Sequence, residues 1–376
     1  MPKKGENIRR RKDGRWEGRY MKSRGADGRA VYGYVYAKSY AEVKTAKKEA
    51  ETNAEHRREP EPTPFILTDY CQGWLESVRP RVRESTYSKY HRVYTKYIEG
   101  YFRRLATQRI TDKLIADYTD YLLKQGGSQG RPLSPKTVGD ILLVLRQLLL
   151  YCDKKGALRY KGHMKLPRQR QSRILVFAPH EQEVLEQRLL SEENSVYMGI
   201  LLDLYTGLRI GELCALRWED VDFINRNMRV SRTVSRIQDV NRSAGAKTKV
   251  VIEKPKTRHS TRIIPLSSFL FEYLQKYRKQ GSDYILTGEP FLMEPRRLFG
   301  AYKRLLNQCD LQKYNFHALR HTFATRCIES GVDIKSLSEI LGHADVQITL
   351  NRYVHPSLDT KRRELEKLPF PPILEQ

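Results

Sequence analysis

The sequence predicts a multidomain α+β protein. A small three-stranded β-sheet with one helix precedes an all-α segment and then a mainly α segment with a small antiparallel sheet. Three observations support this class: short aromatic and β-branched runs between turn signals near the start, a Pro-rich stretch at 57–64, and apolar residues at helical spacing beyond it. The 376 residues are enough for two or three domains. We place the boundaries at 1–58, a linker at 59–64, 65–171 and 172–376.

The first segment contains three strand signals and one helix signal. Strands are expected at Ile8–Arg11, Arg15–Lys22 and Val31–Tyr36, because turn residues separate these runs. Ser39 and Glu42 have the spacing of a capping box, which predicts a helix over Tyr40–His56.

This first segment is strongly basic. Residues 1–40 hold 12 Lys or Arg against 4 acids. A small sheet backed by one helix can place its open face in a DNA major groove, where arginines reach base edges and phosphates. The alternative is a solvated β-meander without a specific target. The candidate DNA-binding residues are Arg9, Arg10, Arg11, Arg15, Arg19 and Arg29.

The second segment shows helical periodicity. Helices are expected over Phe65–Val78, from an N-cap at Ser85 to near Phe102, over Thr111–Gln125, and from Ser134-Pro135 to about Cys152. The basic stretch 79–104 either contacts phosphates or is an ordinary solvated surface. In the third segment we expect strands at Met228–Val234, Lys249–Glu253 and Thr261–Pro265 between helices.

The composition points to a polyanionic partner. The formal net charge is +25 and the pI is about 9.8, which favours nucleic acid or an anionic membrane surface. The longest apolar stretch, Val138–Leu150, is too short and too interrupted to span a bilayer. No secretory signal is visible. Five cysteines without a CxxC pair indicate a reducing compartment, against disulfides or a zinc-thiolate site.

A set of residues suited to metal-free phosphoryl transfer lies in the third segment. Arg209 and Arg320 offer planar forks of donors for phosphate oxygens. A tyrosine such as Tyr353 can attack phosphorus if its phenol is deprotonated, and a lysine can protonate the leaving oxygen. The segments concerned are Thr206–Leu213, Pro255–Thr257, His317–His321, Leu341–His343 and the following Tyr353.

Zinc is the rival chemistry for this segment. His317 and His321 are four apart and therefore share one side of a helix, as in metalloprotease helices. The residues between them are Ala-Leu-Arg, so the glutamate that would act as general base is missing, and Arg320 would lie beside the dication. Taken singly, His343 could be a capping histidine and Tyr353 a packed aromatic.

The strings TGLRIGEL, HALRHTFAT and LGHADVQITLNRY resemble the tyrosine recombinase (phage integrase) family, whose signature is Arg, Lys, His-x-x-Arg, His and Tyr. Arg209 precedes His317 by 108 residues, and Arg320 precedes His343 by 23. The motifs cover roughly 172–360. The helical segment is similar to the core-binding domain of the family, and the first sheet to the arm-binding domain of conjugative-transposon and temperate-phage integrases.

The resemblance implies a role for each matching residue. Arg209 and Arg320 would clamp the scissile phosphate. His317 and His343 would donate hydrogen bonds to it, with His317 a candidate acceptor of the tyrosine proton, and Tyr353 would form a 3′-phosphotyrosyl bond. Lys256 would be the general acid, with Lys247, Lys249 and Lys254 as neighbouring alternatives. Glu212 would orient Arg209, and His321 would take a supporting or packing role.

The function implied is site-specific integration and excision of a mobile element, a prophage or a conjugative transposon. The implied partners are double-stranded DNA at core and arm attachment sites, a homotetramer on DNA, an excisionase and a DNA-bending protein, with no membrane, no metal and no nucleotide cofactor. The implied location is the bacterial cytoplasm, with the nucleoid. The tail 368–376 is expected to dock on a neighbouring subunit. The alternatives are a dimer-resolving recombinase, a non-catalytic DNA-binding protein on the same scaffold and a type IB topoisomerase.

Overall fold

A computed structural model describes residues 6–24, 29–56, 65–160, 164–169, 174–241, 247–254, 261–278 and 283–353, together with positions 362, 365, 366 and 368. The predicted linker, the segment with Lys256 and nearly all of the predicted tail lie outside these residues. The chain divides into two compact units. One comprises Met1–Ser77 with Val93–Pro167, and the other comprises Val78–Arg92 with Arg168–Gln376.

The N-terminal sheet has the predicted form. Strands β1 (Ile8–Arg10), β2 (Trp16–Arg24) and β3 (Ala30–Ala37) pair antiparallel in the order β1-β2-β3. Helix α1 (Tyr40–His56) follows, and both hydrogen bonds of the capping box are present. The predicted helix and cap are therefore confirmed.

The helices that follow begin with α2 (Cys71–Val78) and α3 (Glu84–Val93), which continues through a π-turn at Tyr94–Ile98 into α4 (Glu99–Phe102). The prediction of Ser85 as an N-cap is wrong. The carbonyl of Arg83 accepts the first amide hydrogen bonds of α3, so Ser85 lies in the first turn and its hydroxyl donates to Glu253 at 2.9 Å.

Two further helices begin after side-chain caps, and the predicted start at Ser134-Pro135 is confirmed. Helix α5 (Asp112–Gln125) begins after Thr111, whose side chain accepts from the Leu114 amide. Helix α6 (Pro135–Lys154) begins after Ser134, whose side chain accepts from the Thr137 amide, with proline at the first helical position. Buried apolar side chains line one face of each helix. The buried face of α6 is the more extensive, and its Leu142, Leu145, Leu148 and Leu149 have no solvent exposure.

The second unit contains two small antiparallel sheets. One has the order β4 (Val221–Asp222), β5 (Asn227–Val230), β8 (Arg262–Pro265), and the other pairs β6 (Thr233–Gln238) with β7 (Thr248–Glu253). The single strand predicted over Met228–Val234 is therefore wrong. The chain leaves the first sheet at Ser231-Arg232, where the Arg232 guanidinium binds Asp220 at 2.7 Å, and enters the second.

Among the described residues of this unit, most helices pack around a leucine-rich core, while Tyr353 of the last helix lies in a second, smaller apolar cluster with Ala324, Leu337 and Leu341. The helices that carry the site are α8 (Ser195–Thr206), α9 (Ile210–Ala215), α12 (His317–Glu329), α13 (Ile334–Leu341) and α14 (Val346–Tyr353); the others are α7 (Pro179–Leu190), α10 (Ser268–Tyr277) and α11 (Pro295–Gln308). Among the described residues, no helix combines the length and apolar character needed to cross a membrane.

Candidate active site

Arg209 is fixed at the start of α9. Gly207 ends α8 in the left-handed conformation (φ 61°), and Arg209 is the N-cap residue of α9. Glu212, one turn later, accepts from the Arg209 backbone amide at 3.0 Å and from its Nη1 at 2.7 Å. The fork of Arg209 is thus held by the first turn of its own helix, and its Nη2 lies 3.4 Å from the Gly342 carbonyl oxygen.

Arg320 lies beneath the site and is 1% exposed. Its Nη1 donates to the Gly207 carbonyl at 2.6 Å and its Nη2 to the Leu341 carbonyl at 2.7 Å. These contacts join the turn before α9 to the end of α13. Burial and then the charge of Arg209 lower the pKa of Arg320 to about 10, which leaves it protonated at neutral pH.

The tautomer of His343 follows from its neighbours. Its Nε2 is 2.9 Å from Arg320 Nη2, and because arginine only donates, Nε2 is the acceptor. Nδ1 then carries the proton and donates to Thr349 Oγ1 at 2.8 Å. Burial and then the charge of Arg320 lower the pKa of His343 to about 3. His343 is therefore neutral in the DNA-free protein, and its proton faces Thr349.

Tyr353 ends α14 with its side chain 9% exposed. Its hydroxyl oxygen is 2.7 Å from Nδ1 of His321. Burial raises the pKa of the Tyr353 phenol, while the charges of Arg320 and Arg352 oppose the rise. Burial and then His317 lower the pKa of His321 to about 4. The residue expected in a supporting role is thus the one that meets the tyrosine hydroxyl, because it lies one turn beyond His317 on α12.

His317 lies on the same side of α12, with its ring edge-on to the ring of His321 at 4.9 Å between centroids. Its side chain is exposed to solvent. Although the residue keeps contact with solvent, partial burial of the ring and then the charges of Arg320 and Arg209 lower its pKa to about 4. Both histidines are therefore neutral near pH 7.

Three further residues bear on this group, two through hydrogen bonds and Asp203 through its charge, and they carry no signal in the sequence. Thr349 binds His343, as above. Arg262 donates through Nη2 to Glu212 at 2.9 Å. Asp203 is completely buried, and neither of its carboxyl oxygens has a hydrogen-bond partner among the described residues. Burial raises the pKa of Asp203 well above its ordinary value, against the opposing charge of Arg320.

The second unit thus brings together five of the six candidate catalytic residues and both supporting ones. Lys256 lies outside the described residues. In the part of the chain that the structure describes, no group of three or more His, Cys, Asp or Glu side chains is placed to hold a metal ion. The catalytic candidates so assembled are Arg209, His317, Arg320, His343 and Tyr353.

The open face of the N-terminal sheet is a second cluster. Tyr32, Tyr34 and Tyr36 alternate along β3 and are about half exposed. The Arg19 guanidinium lies 4.5 Å from the ring centroid of Tyr32. On the same face, Glu17 is 4% exposed.

Glu17 accepts hydrogen bonds from Arg9 Nε at 2.8 Å and Arg11 Nη1 at 2.7 Å. Of the other candidates, Arg15 binds Asp13 and Arg29 is exposed just before β3. Strand alternation places Arg10 with buried Ile8, on the opposite face.

Similarity to known proteins defines the family of the chain. Residues 172–359, half of the chain, match the model of the phage integrase family, and residues 66–123 match the phage integrase N-terminal SAM-like domain. The chain therefore belongs to the phage integrase family, the tyrosine recombinases. A tyrosine recombinase XerC-like protein of Caldanaerobacter subterraneus subsp. tengcongensis is 27% identical, over 92% of this chain and 93% of its own length.

Two solved structures share the fold. The Tn1549 transposon integrase in complex with a circular intermediate DNA has a TM-score of 0.63 and 23% identity, covering 79% of this chain and 98% of that chain. A lambda integrase tetramer bound to a Holliday junction has a TM-score of 0.54 and 15% identity, covering 90% of this chain and 96% of that chain. The predicted α+β class is confirmed.

Proposed function

We propose that Tyr353 cuts one DNA strand at a defined site and that the enzyme rejoins it to a new partner, so that a mobile element is integrated and excised. The observation that carries this proposal is the Tyr353 hydroxyl, buried beside Arg320 and hydrogen-bonded to His321 at 2.7 Å. A phenol in that position is oriented, and it has both a proton acceptor and a positive field.

The reaction balances without a nucleotide. Tyr353 Oη attacks phosphorus, the bond from phosphorus to the 5′ oxygen breaks, and the phenolic proton passes to His321. Lys256 donates a proton to the leaving 5′ oxygen. The 3′-phosphotyrosyl bond retains the energy of the phosphodiester, so a new 5′-hydroxyl reverses the step without ATP. Arg209 and Arg320 neutralise the non-bridging oxygens, so the proposed reaction needs no metal.

His343 changes partner on DNA binding in this scheme. In the DNA-free protein its Nε2 accepts from Arg320, so it cannot donate to a phosphate oxygen. A phosphate that takes over the Arg320 donor frees Nε2 and favours a protonated ring through its negative charge. His343 then donates to the phosphate through Nε2 while Thr349 holds Nδ1.

The test is capture of the covalent intermediate. A nicked DNA, or one with a 5′-bridging phosphorothiolate at the scissile position, traps the protein–DNA adduct because religation is prevented. Wild type is expected to form the adduct and Tyr353→Phe is not. Tyr205→Phe, which removes a tyrosine hydroxyl of α8 that donates to Glu186, is the matched control. An adduct with the Tyr353→Phe variant would refute the assignment.

The N-terminal sheet is the proposed arm-site module. Its open face offers Arg9, Arg11 and Arg19 beside exposed tyrosines, which suits backbone and base contacts in a groove. Binding of arm DNA should weaken steeply as salt rises, because released counterions drive it. Arg19→Ala should reduce arm binding and leave cleavage of a core-only substrate unchanged. Equal loss on both substrates would contradict a separate arm module.

The proposed assembly is a homotetramer on two core sites. It would act on nucleoid DNA in the bacterial cytoplasm. An excisionase and a DNA-bending protein would determine whether it integrates or excises the element. The lambda integrase tetramer on a Holliday junction supports the stoichiometry through its shared fold. Mass measurement of the complex on paired core sites tests it. Only complexes of two subunits or fewer on a recombining substrate would exclude the tetramer.

Dimer resolution is the second candidate, and the similarity to a XerC-like recombinase over nearly the whole chain favours it. The two functions differ in their substrates. A resolving enzyme recombines two identical core sites without arm sequences. An integrase that uses its N-terminal sheet requires arm DNA on one partner, and recombination of core-only plasmid dimers at full rate would favour the second candidate.

A further inference from the structure

Arg262 contacts the groups that hold two catalytic candidates, Arg209 and His343, in place. It is the first residue of β8, two positions after the 255–260 stretch that contains Lys256. Its side chain is 5% exposed. A charge is this well buried only when close partners compensate it.

Those partners belong to two different parts of the site. Nη2 donates to Oε2 of Glu212 at 2.9 Å, and the other oxygen of Glu212 holds Arg209. Nε donates to the carbonyl oxygen of Ile340, near the end of α13 and three residues before His343. One guanidinium therefore binds the carboxylate behind Arg209 and the backbone that leads to His343.

The turn after α13 packs closely against this guanidinium. Gly342 has φ +64°, and a Cβ added there would lie 3.0 Å from Arg262 Cδ and 3.1 Å from its Nη1. The Gly342 carbonyl in turn faces Arg209 Nη2 at 3.4 Å. The glycine is thus required both by its backbone conformation and by the space that Arg262 fills.

We propose that Arg262 is a positioning residue for strand transfer, which fixes Glu212, and through it Arg209, against the turn that carries His343. This inference rests on the function proposed above. Arg262 does not touch the reacting atoms. Its effect is to keep the two halves of the phosphate site at a constant separation.

The side-chain chemistry makes arginine specific here. A guanidinium is a planar fork that binds in two directions at once, whereas a lysine is a single point charge on a flexible stem. Arg262→Lys keeps the charge next to Glu212 and loses the simultaneous hold on Ile340. It should therefore rescue part of the defect of Arg262→Met.

Removing Arg262 should also introduce a pH dependence. Glu212 would then face Arg209 of its own helix, Asp203 of α8 and Arg320 of α12. Burial raises the pKa of Glu212, and Arg262 is the largest influence that lowers it again. Without Arg262 the carboxyl takes up a proton more readily as pH falls and then releases Arg209.

The experiment measures core-DNA affinity and single-turnover cleavage separately, at pH 6, 7 and 8. Arg262→Met should bind within about threefold of wild type and cleave about 30- to 100-fold more slowly, as expected when positioning of a transition-state donor is lost. The defect should be larger at pH 6 than at pH 8, and Arg262→Lys should be intermediate. Arg232→Met, which breaks a comparable arginine–carboxylate contact at Asp220, is the matched control. It should cleave within about threefold of wild type.

A second measurement does not depend on the proposed reaction. The His343 amide donates to the Ser338 carbonyl at 3.0 Å in the free protein. If Arg262 holds this turn, Arg262→Met should speed amide hydrogen exchange at 339–343. The control variant Arg232→Met should leave that exchange unchanged. Unchanged exchange, or a Met variant that cleaves within threefold of wild type at every pH, would overturn the role of Arg262. If wild type itself forms no adduct while exchange responds as expected, the proposed function fails and the structural role of Arg262 stands.

Discussion

The hydrogen bond between Tyr353 and His321 gives the sharpest prediction. His321→Ala removes the group that meets the nucleophile, and His317→Ala removes a histidine from the same helix face one turn earlier. We expect His321→Ala to slow formation of the covalent adduct by about 10- to 100-fold, because a buried hydroxyl that loses its partner costs about 1–3 kcal/mol. His321→Gln, which can still accept through its amide oxygen, should recover part of the rate.

The two proton affinities limit when the proton of Tyr353 can move to His321. The pKa of His321 is lowered to about 4, whereas an ordinary phenol has a pKa of about 10. Complete transfer of the proton before attack would span about six pKa units, or about 8 kcal/mol. This free-energy cost is too large for proton transfer to be a separate step that precedes attack. The proton must move as the phosphorus–oxygen bond forms, or after the bound phosphate has raised the pKa of His321.

The assay is single-turnover adduct formation on nicked core DNA, at protein concentrations above the measured Kd. A loss of more than about 1000-fold would mean that His321 is a committed general base, since such groups contribute about 100- to 10,000-fold. The reasoning is refuted if His321→Ala reacts like wild type while His317→Ala loses about 100-fold or more. Tyr353 would then attack from an arrangement other than the one in this structure.

Three further predictions concern other groups of the site. Lys256→Ala should cleave an ordinary phosphodiester at least about 100-fold more slowly and recover on a 5′-bridging phosphorothiolate, whose sulfur leaves without a proton. Lys249→Ala, which breaks ion pairs with Glu84 and Asp239, should leave cleavage of both substrates unaffected. The free energy of unfolding should fall as pH drops below about 6.5, because the unfolded chain protonates His343 there and the folded chain only near a pKa of about 3. His343→Gln should remove about 1 kcal/mol per pH unit of that slope in urea titrations, and an unchanged slope would contradict the assignment. Asp203→Asn should cleave within about threefold of wild type, since burial raises the pKa of this acid and favours its neutral form; a large loss would mean that Asp203 is ionised.

The N-terminal sheet, α1 and α6 could be predicted because their signals are local. Ser39 with Glu42, and Ser134 with Pro135, make the same short-range hydrogen bonds and dihedral choices in any context that allows a helix. The order of the candidate catalytic residues along the chain was also visible, because the spacing of a motif does not depend on the fold.

The errors have a different origin. The carbonyl of Arg83 starts α3, and Ser85 is used instead to bind Glu253, which is 168 positions away. The strand predicted over Met228–Val234 is divided because Arg232 is drawn to Asp220. Both outcomes depend on contacts with residues elsewhere in the chain. A serine or an arginine in the sequence does not indicate which residue it will bind.

The choice between His317 and His321 shows the same limit inside the site. Four residues apart on α12, both face one side, so helical periodicity cannot say which of them meets Tyr353. The distance between α12 and the end of α14 decides it, and the ring that reaches Tyr353 is that of His321. Arg262 and Thr349 were missed for a related reason. An arginine in a chain with 69 basic residues, or a threonine in a helix, is informative only once its partner is known.

The charges linked around Glu212 favour the transition state over the bound substrate. Glu212 is the ionised acid among three guanidinium groups, those of Arg209, Arg262 and Arg320. Burial raises the pKa of Asp203, which weakens its opposing negative charge, and the lowered pKa of His343 keeps that ring neutral in the DNA-free protein. The three guanidinium groups outnumber the single carboxylate of Glu212, and Arg352 adds to this excess of positive charge near Tyr353. A phosphodiester carries one negative charge and its five-coordinate transition state about two, so the excess is matched more closely as Tyr353 attacks.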